Sequence, residues 1–353
     1  MSEQPHKPRS AFAVEAGLQR ARLAARAAWY GAAGLGARAL TRPTEGEATP
    51  QLKSAEPAPP GAVIRRAYLD AFEKDARDVA AGLYPPGDDG SPDPAGAMAR
   101  MIDFLADARE VDARRRRRGG VEARAEAGSE AYPVYYRQNF HYQSGGWFTE
   151  ESARRYEDQV EALFSGTAGP MRRRALSLLA QAWRGRDQRG LRLLDLACGS
   201  GAFLKDLRGA FPRASVSGAD LSAAYLGEAR RRSGVGALAQ AAGERLPFAD
   251  ASLDAITCVY LFHELPPRVR PQVAAEIARV LKPAGVLALA DSVQREDEPH
   301  LARMLEAFPA FFHEPYYESF LATDFTALFA EAGLRLVDTD KAFLTKAWLF
   351  EKG

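Results

Sequence analysis

The sequence predicts an α/β fold in which helices cover both faces of a doubly wound, mostly parallel sheet. Five short apolar runs recur from about residue 191 onward, with helical stretches between them: LRLLDLA, ASVSGAD, ALAQAA, LDAITCVYLF and GVLALAD. Most of these runs carry apolar residues at consecutive positions rather than at every second position. Continuous apolar strands that alternate with helices are typical of a parallel sheet buried on both faces.

The length and composition fit one large domain or two domains of ordinary size. The chain has 353 residues, of which 46% are hydrophobic and 26% charged, as in soluble globular proteins. Its formal net charge is +1, from 47 basic and 46 acidic residues, so no overall field favours nucleic acid as a partner. The two cysteines, Cys198 and Cys258, lie in apolar strand-like segments, which excludes a disulfide framework and favours a reducing, cytoplasmic compartment.

The N-terminal part of the chain predicts helices joined by loops. Residues 1–60 begin with an arginine-containing stretch that predicts an amphipathic helix, either packed on the protein or mobile. The proline-rich TRPTEGEATPQLKSAEPAPP follows, so we expect a flexible N-terminal segment and linker overall. Apolar residues spaced three to four apart then predict a helical region over 61–130. The run from Arg114 to Arg118 is expected to be a solvated helix end rather than a phosphate-binding patch. No apolar run is long enough for a transmembrane helix, which leaves only peripheral membrane contact open.

The order of elements places a ligand site after the first strand. A helical insert around 292–322 follows the fifth run, and a helix and two closing strands, LRLVDTD and AFLTKAWLFEK, come after it. In such sheets ligands bind at the carboxyl ends of the strands, where the first run ends in ACGSG. A dinucleotide site needs a third glycine in this turn, but Leu204 occupies that position, which argues against a pyrophosphate ligand.

The second strand ends in an acidic residue. Asp220 closes the run VSGAD, where a carboxylate can accept hydrogen bonds from both hydroxyls of a ribose. Asp220 or Ser222 can equally cap the helix that follows, so this feature alone leaves both interpretations open.

Five segments in this order resemble the class I S-adenosylmethionine-dependent methyltransferases of the small-molecule type, which include quinone-biosynthesis enzymes. The segments are Asp195-x-Ala-Cys-Gly-Ser-Gly, Asp220-Leu221-Ser222, GERLPFADASLDAI, FHELPP and ARVLKPAGVLALAD. The resemblance implies a seven-stranded Rossmann-like sheet with an antiparallel C-terminal strand, formed by a domain over 131–353. It also implies S-adenosylmethionine as cofactor and S-adenosylhomocysteine as product. Residues 135–164 are similar to the N-terminal flank of a bacterial and plant branch of this family.

The resemblance further implies which residues contact the cofactor. Gly199 and Gly201 would let its methionine portion lie on the first turn, and Asp195 would reach its ammonium group. The complete expected set is Asp195, Ala197, Cys198, Gly199, Gly201, Asp220, Leu221, Gly243, Glu244, Val259 and Tyr260. Ala197 replaces the first glycine of the family turn. Ala242 stands where the family often has an acidic residue for adenine, so that contact is missing or comes from Glu244.

Three histidines are candidates for a base that takes a proton from the methyl acceptor. His263 follows the fourth strand, His141 lies in NFHYQSGGW, and His313 lies in FFHEPYYESF of the insert. Each can equally be a packing or loop-ordering residue. We expect the aromatic segments 132–147 and 311–317 to meet over the cofactor's methyl group as a lid on an apolar acceptor pocket.

These features predict an enzyme that methylates a small, hydrophobic or aromatic acceptor at oxygen or carbon. Protein or peptide methylation, and S-adenosylmethionine binding without turnover, stay open as alternatives. No metal site is expected, because His141, His263, Glu264 and His313 show no ligand spacing on one element. The sequence identifies neither the acceptor nor the oligomeric state.

Overall fold

A computed structural model describes residues 9–41, 57–87, 94–126 and 128–353. Within these ranges seven strands form one sheet: β1 (Arg192–Leu196), β2 (Ser215–Asp220), β3 (Leu238–Gln240), β4 (Leu253–Val259), β5 (Leu281–Ser292), β6 (Leu334–Ala342) and β7 (Thr345–Lys352). Their order is β3-β2-β1-β4-β5-β7-β6, in which β7 pairs antiparallel with both neighbours while the other pairs are parallel. The predicted fold class is confirmed.

Helices pack on both faces of this sheet, and several helices precede its first strand in the chain. The described helices are α1 (Arg9–Leu40), α2 (Gly61–Ala80), α3 (Pro94–Arg116), α4 (Glu150–Leu163), α5 (Ala168–Ala182), α6 (Ala202–Ala210), α7 (Ala223–Ser233), α8 (Arg270–Val280), α9 (Ala302–Phe311), α10 (Tyr317–Leu321) and α11 (Phe325–Glu331). None of them is both long and apolar enough to cross a bilayer.

The core consists of two apolar layers separated by the sheet. Successive strand residues such as Leu193 and Leu194 are both fully buried, and they belong to opposite layers. One layer contains residues of α2, α5 and α6, and the other contains residues of α8, α10 and α11. Side chains alternate between the faces of a strand, so burial on both faces requires the continuous apolar runs seen in the sequence.

Residues 9–40 of the expected flexible segment form one helix packed on the rest of the chain, which is the packed rather than the mobile form of the predicted amphipathic helix. Leu23 of α1 is fully buried. The Gln19 side-chain amide donates to Asp75 of α2 at 2.8 Å, and the Tyr30 hydroxyl donates to Asp158 of α4 at 2.8 Å. Amphipathicity alone could not reveal these polar partners. Most of the predicted linker, residues 42–56, lies outside the described residues.

The expectation of a solvated arginine run is wrong for its first member. Arg114 is buried, and its guanidinium donates to the carbonyl of Tyr142 at 2.7 Å and to Glu122 at 2.9 Å. This residue therefore attaches the end of α3 to the aromatic segment 132–147.

Candidate functional site

A cavity lies at the carboxyl ends of β1, β2 and β4, next to the point where the strand order reverses. Its wall contains most of the residues expected at the cofactor: Asp195, Ala197, Cys198, Gly199, Asp220, Leu221, Gly243, Val259 and Tyr260. Gly201 and Glu244 do not line it. The sequence therefore predicted the location of the cavity and most of its strand-end lining.

The two glycines of the first turn serve different purposes. Both have a positive φ, +51° at Gly199 and +80° at Gly201, a region that favours glycine. A Cβ on Gly199 would meet no atom within 4 Å, whereas a Cβ on Gly201 would lie 2.7 Å from the Cα of Ala229 in α7. The close approach that we assigned to a ligand at Gly201 is thus helix packing, and the open space lies at Gly199.

Asp195 presents an unsatisfied oxygen beside the cavity. Its Oδ1 accepts a hydrogen bond from the Thr257 hydroxyl at 2.7 Å, while its buried Oδ2 has no partner among the described residues. Burial raises the pKa of Asp195 to about 7. A buried acceptor without a donor is uncommon and indicates a place for an external donor, such as an ammonium group.

Asp220 is a loop-organising carboxylate rather than a helix cap. Its Oδ2 accepts from the Gly199 amide at 2.8 Å, and its Oδ1 accepts from the Ser222 amide at 2.8 Å. The cap of α7 is Ser222, whose hydroxyl accepts from the Tyr225 amide at 3.1 Å. Burial raises the pKa of Asp220. Of the two interpretations left open by the sequence, capping by Asp220 is therefore excluded.

The structure adds a buried ion pair that sequence reasoning missed. Arg172 of α5 and Glu157 of α4 both line the cavity, with Nη–Oε distances of 3.1 and 2.7 Å. Ser200 of the first turn donates to the same glutamate at 2.7 Å. The run MRRRAL carried no pattern that distinguished a cavity arginine from its neighbours.

The Glu244 side chain, which we expected near adenine, is bound by a tyrosine of the aromatic segment. The Tyr135 hydroxyl lies 2.8 and 3.0 Å from its two carboxylate oxygens, which holds the side chain against the aromatic segment. Glu244 does not line the cavity as it stands, and its contact with adenine stays a prediction.

Three residues around the cavity have a left-handed backbone without being glycine. Ala197 and Tyr260 line it with φ of +57° each, and His141 has φ of +56°. Such conformations cost about 1–3 kcal/mol each and concentrate at functional sites.

The two aromatic segments meet at this edge of the sheet. The His141 amide donates to the carbonyl of His313 at 3.2 Å. The Gln138 side chain bonds the His313 ring at 2.8 Å and the Tyr316 hydroxyl at 3.0 Å. Phe140 and Trp147 line the same cavity as Gly199, so the segment 132–147 lies on the ligand side.

The three candidate histidines do not gather at one point. His263 Nδ1 lies 2.7 Å from Asp291, and His141 Nε2 lies 2.5 Å from Glu314. Both histidines are close together, whereas the ring of His313 is turned to Gln138. Neither His141 nor His263 lines the cavity itself, but Glu264 does.

Electrostatics in this cluster favour the protonated forms of His141, His263 and Glu264. Burial opposes charge on both histidines, yet the neighbouring carboxylates outweigh it: Glu314 raises the pKa of His141, and Asp291 raises that of His263 to about 10. Burial also raises the pKa of Glu264 to about 8.

Comparison with known proteins identifies the family. A family model described as a methyltransferase domain matches residues 193–285. The chain is 30% identical over 148 residues to an uncharacterized methyltransferase of Synechocystis, which covers 42% of this chain and 68% of that protein. It is 34% identical over 125 residues to a fatty-acid O-methyltransferase of Mycolicibacterium smegmatis, covering 35% of this chain and 45% of that one. It is 40% identical over 95 residues to a ubiquinone/menaquinone biosynthesis C-methyltransferase of Desulfotalea psychrophila, covering 26% and 38%.

The match spans about two thirds of the Synechocystis protein and less than half of the other two relatives. The family-model match, residues 193–285, falls on strands and turns that build the cavity. With this sheet order and these matches, the chain belongs to the class I S-adenosylmethionine-dependent methyltransferases.

Proposed function

We propose that this protein methylates a small, lipophilic or aromatic acceptor at oxygen or carbon. The observation that carries the proposal is a group of five aromatic rings in the lining of the cavity. These rings belong to Tyr135, Tyr136, Phe140, Trp147 and Tyr156. A concave surface rich in aromatic rings suits a flat or apolar ligand.

The residues of the first two turns fit S-adenosylmethionine. Asp195 offers its unpaired Oδ2 to the ammonium group, and the nearby guanidinium of Arg172 suits the carboxylate. Gly199 leaves open space for the methionine portion, and Asp220 lies where the ribose hydroxyls would be bound. When bound, the cofactor supplies a methyl group whose bond to sulfur breaks with the electron pair staying on sulfur.

The chain's own contribution to transfer is orientation, water exclusion and removal of a proton. Aligning the acceptor with the methyl group supplies a large share of the acceleration. Glu264 lines the cavity and lies beside His263, so the acceptor's reacting atom belongs next to Glu264. The ionised form of this carboxylate would take the proton of a hydroxyl acceptor. His313 is bound to Gln138, and we do not assign it this role.

Two relatives support a lipophilic acceptor, because their names specify fatty acids and quinones. Two other functions remain alternatives: methylation of a protein or peptide, and cofactor binding without turnover.

A single labelling experiment distinguishes these functions. The full chain is incubated with S-adenosylmethionine carrying a radioactive methyl group, together with a cell extract. Label in the organic-solvent fraction is the expected result, whereas label in precipitated protein would favour protein methylation. Thermal shift with S-adenosylmethionine, S-adenosylhomocysteine and NAD is measured in parallel. Cofactor binding without label in either fraction would favour the non-catalytic function.

A further inference from the structure

Two histidines and a glutamate from three separate segments converge behind the cavity. His141 comes from the first aromatic segment, His263 from the loop after β4, and Glu314 from the insert after β5. One ligand atom of each lies within 4.8 Å of the others. The sequence did not reveal this grouping, because no two of the three residues share an element.

Glu314 is the unusual member of this group. Its side chain is fully buried, and neither carboxylate oxygen has a hydrogen bond in acceptable geometry among the described residues. His141 Nε2 lies 2.5 Å from its Oε1. Buried carboxylates normally accept several hydrogen bonds, so Glu314 lacks the donors that its burial requires.

His263 is oriented as metal-bound histidines are. Its Nδ1 bonds Asp291 Oδ1 at 2.7 Å, and the other oxygen of Asp291 accepts from the Phe262 amide at 2.9 Å. This arrangement fixes the ring and leaves Nε2 as the atom available for a ligand. A carboxylate that holds the second nitrogen of a ligating histidine is a regular feature of metal sites.

The donor set indicates the class of ion. Two imidazoles and one carboxylate suit first-row divalent transition metals such as Zn²⁺, whereas Mg²⁺ and Ca²⁺ prefer oxygen ligands. Three protein ligands leave at least one coordination position open. Glu264, whose Oε1 lies 3.9 Å from His263 Nε2, lines the cavity on this side.

We propose that His141, His263 and Glu314 bind one divalent transition-metal ion, with its open position toward the acceptor side of the cavity. The expectation of no metal site is thereby replaced. The inference makes the proposed function more specific, and its statement about the methyl acceptor rests on that function. A metal ion at this place would hold and polarise an oxygen of the acceptor, which favours hydroxylated or carboxylated lipophilic acceptors.

The test measures metal binding without turnover. The full chain is treated with EDTA and titrated with ZnCl₂ in a calorimeter, with MgCl₂ as the comparison ion. We expect one equivalent of zinc to bind and magnesium to bind much more weakly. His141→Asn and Glu314→Gln should each weaken zinc binding at least about tenfold. His313→Asn, in the same segment as Glu314 but turned to Gln138, should leave it unchanged.

The same samples are titrated with S-adenosylmethionine, which serves as the folding control. A wild-type chain that binds the cofactor but no zinc would overturn the metal site and leave the proposed function standing. Zinc binding that survives both His141→Asn and Glu314→Gln would overturn it as well. Failure of the wild type to bind S-adenosylmethionine would count against the proposed function instead.

Discussion

At the scale of single residues, the cavity is marked by a contrast between two carboxylates. Both oxygens of Asp220 accept backbone amide bonds, so this residue already helps to hold the first turn. Asp195 has one oxygen satisfied by Thr257 and one without a partner. Asp220 therefore holds the first turn in place, whereas Asp195 still has an oxygen that can accept a hydrogen bond from a ligand.

The affinity for S-adenosylmethionine should depend on pH through Asp195. Burial raises the pKa of this carboxyl to about 7, and only its ionised form attracts the ammonium group. Affinity should therefore increase as the pH rises through about 7. Because the folded-state pKa is raised, the same ionisation lowers the stability of the ligand-free protein over the interval from its unfolded pKa of about 3.9 up to about 7.

Calorimetry across this pH range tests the expectation. Asp195→Asn should lose this pH dependence and weaken binding by about 1–3 kcal/mol at high pH. Asp187→Asn, at an exposed loop position, is the matched control. A pH dependence that persists in Asp195→Asn would assign the titration to another group.

The two glycines of the first turn should respond differently to alanine. Gly201→Ala combines a left-handed backbone with a Cβ 2.7 Å from backbone of α7, and should cost about 2–4 kcal/mol of unfolding free energy. Gly199→Ala has no clash and should cost only about 1–2 kcal/mol. Its methyl group would project into open space beside the cavity and should lower cofactor affinity. Urea unfolding and cofactor titration of both variants measure this. Equal stability losses would contradict the division of roles.

At the scale of elements, α5 shows what a sequence pattern cannot resolve. Arg172, Arg173 and Arg174 are consecutive and all buried, although a helix turns successive side chains by about 100°. The explanation is that α5 is enclosed on every side. Arg172 reaches the cavity, Arg173 binds Asp75 of α2, and Arg174 bonds the hydroxyl of Tyr84. Without knowledge of those neighbours, three charged residues in a row indicate a solvated face.

The Arg173–Asp75 pair should be a major attachment of α2 to the domain. Both side chains are almost completely buried, with nitrogen–oxygen distances of 2.6 and 3.1 Å. Asp75→Ala would leave a buried guanidinium without its main partner, at a cost of about 3–5 kcal/mol. Asp70→Ala, on the exposed side of α2 beside Arg66, should change stability by less than about 1 kcal/mol. Urea unfolding compares the two, and similar small losses would show that Asp75 is dispensable.

At the scale of the whole molecule, the sequence predicted the strands and helices that alternate along the chain, but not the contacts between distant segments. Alternating apolar runs and helices determine the sheet, because each strand must bury both faces. The ACGSG turn and Asp220 could then be placed at the carboxyl edge of that sheet, because each lies at the end of a strand. The packing of α1 and the grouping of His141, His263 and Glu314 depend instead on contacts between distant segments. No local spacing records such contacts, and the aromatic content of 132–147 and 311–317 was the one signal that these segments belong together.

Gln138 should control how firmly this lid is closed. Its amide bonds the His313 ring at 2.8 Å, the Tyr316 hydroxyl at 3.0 Å and the carbonyl of Tyr135 at 3.1 Å. Gln138→Ala removes all three bonds, each worth about 0.5–1.5 kcal/mol, and should speed amide hydrogen exchange in 311–317. The acceptor KM should rise about tenfold, a factor equivalent to 1.4 kcal/mol, while cofactor affinity stays near the wild-type value. Gln272→Ala, whose amide bonds the nearby carbonyl of Arg268, is the control. Unchanged exchange in 311–317, or a loss confined to cofactor affinity, would show that the two segments close independently of Gln138.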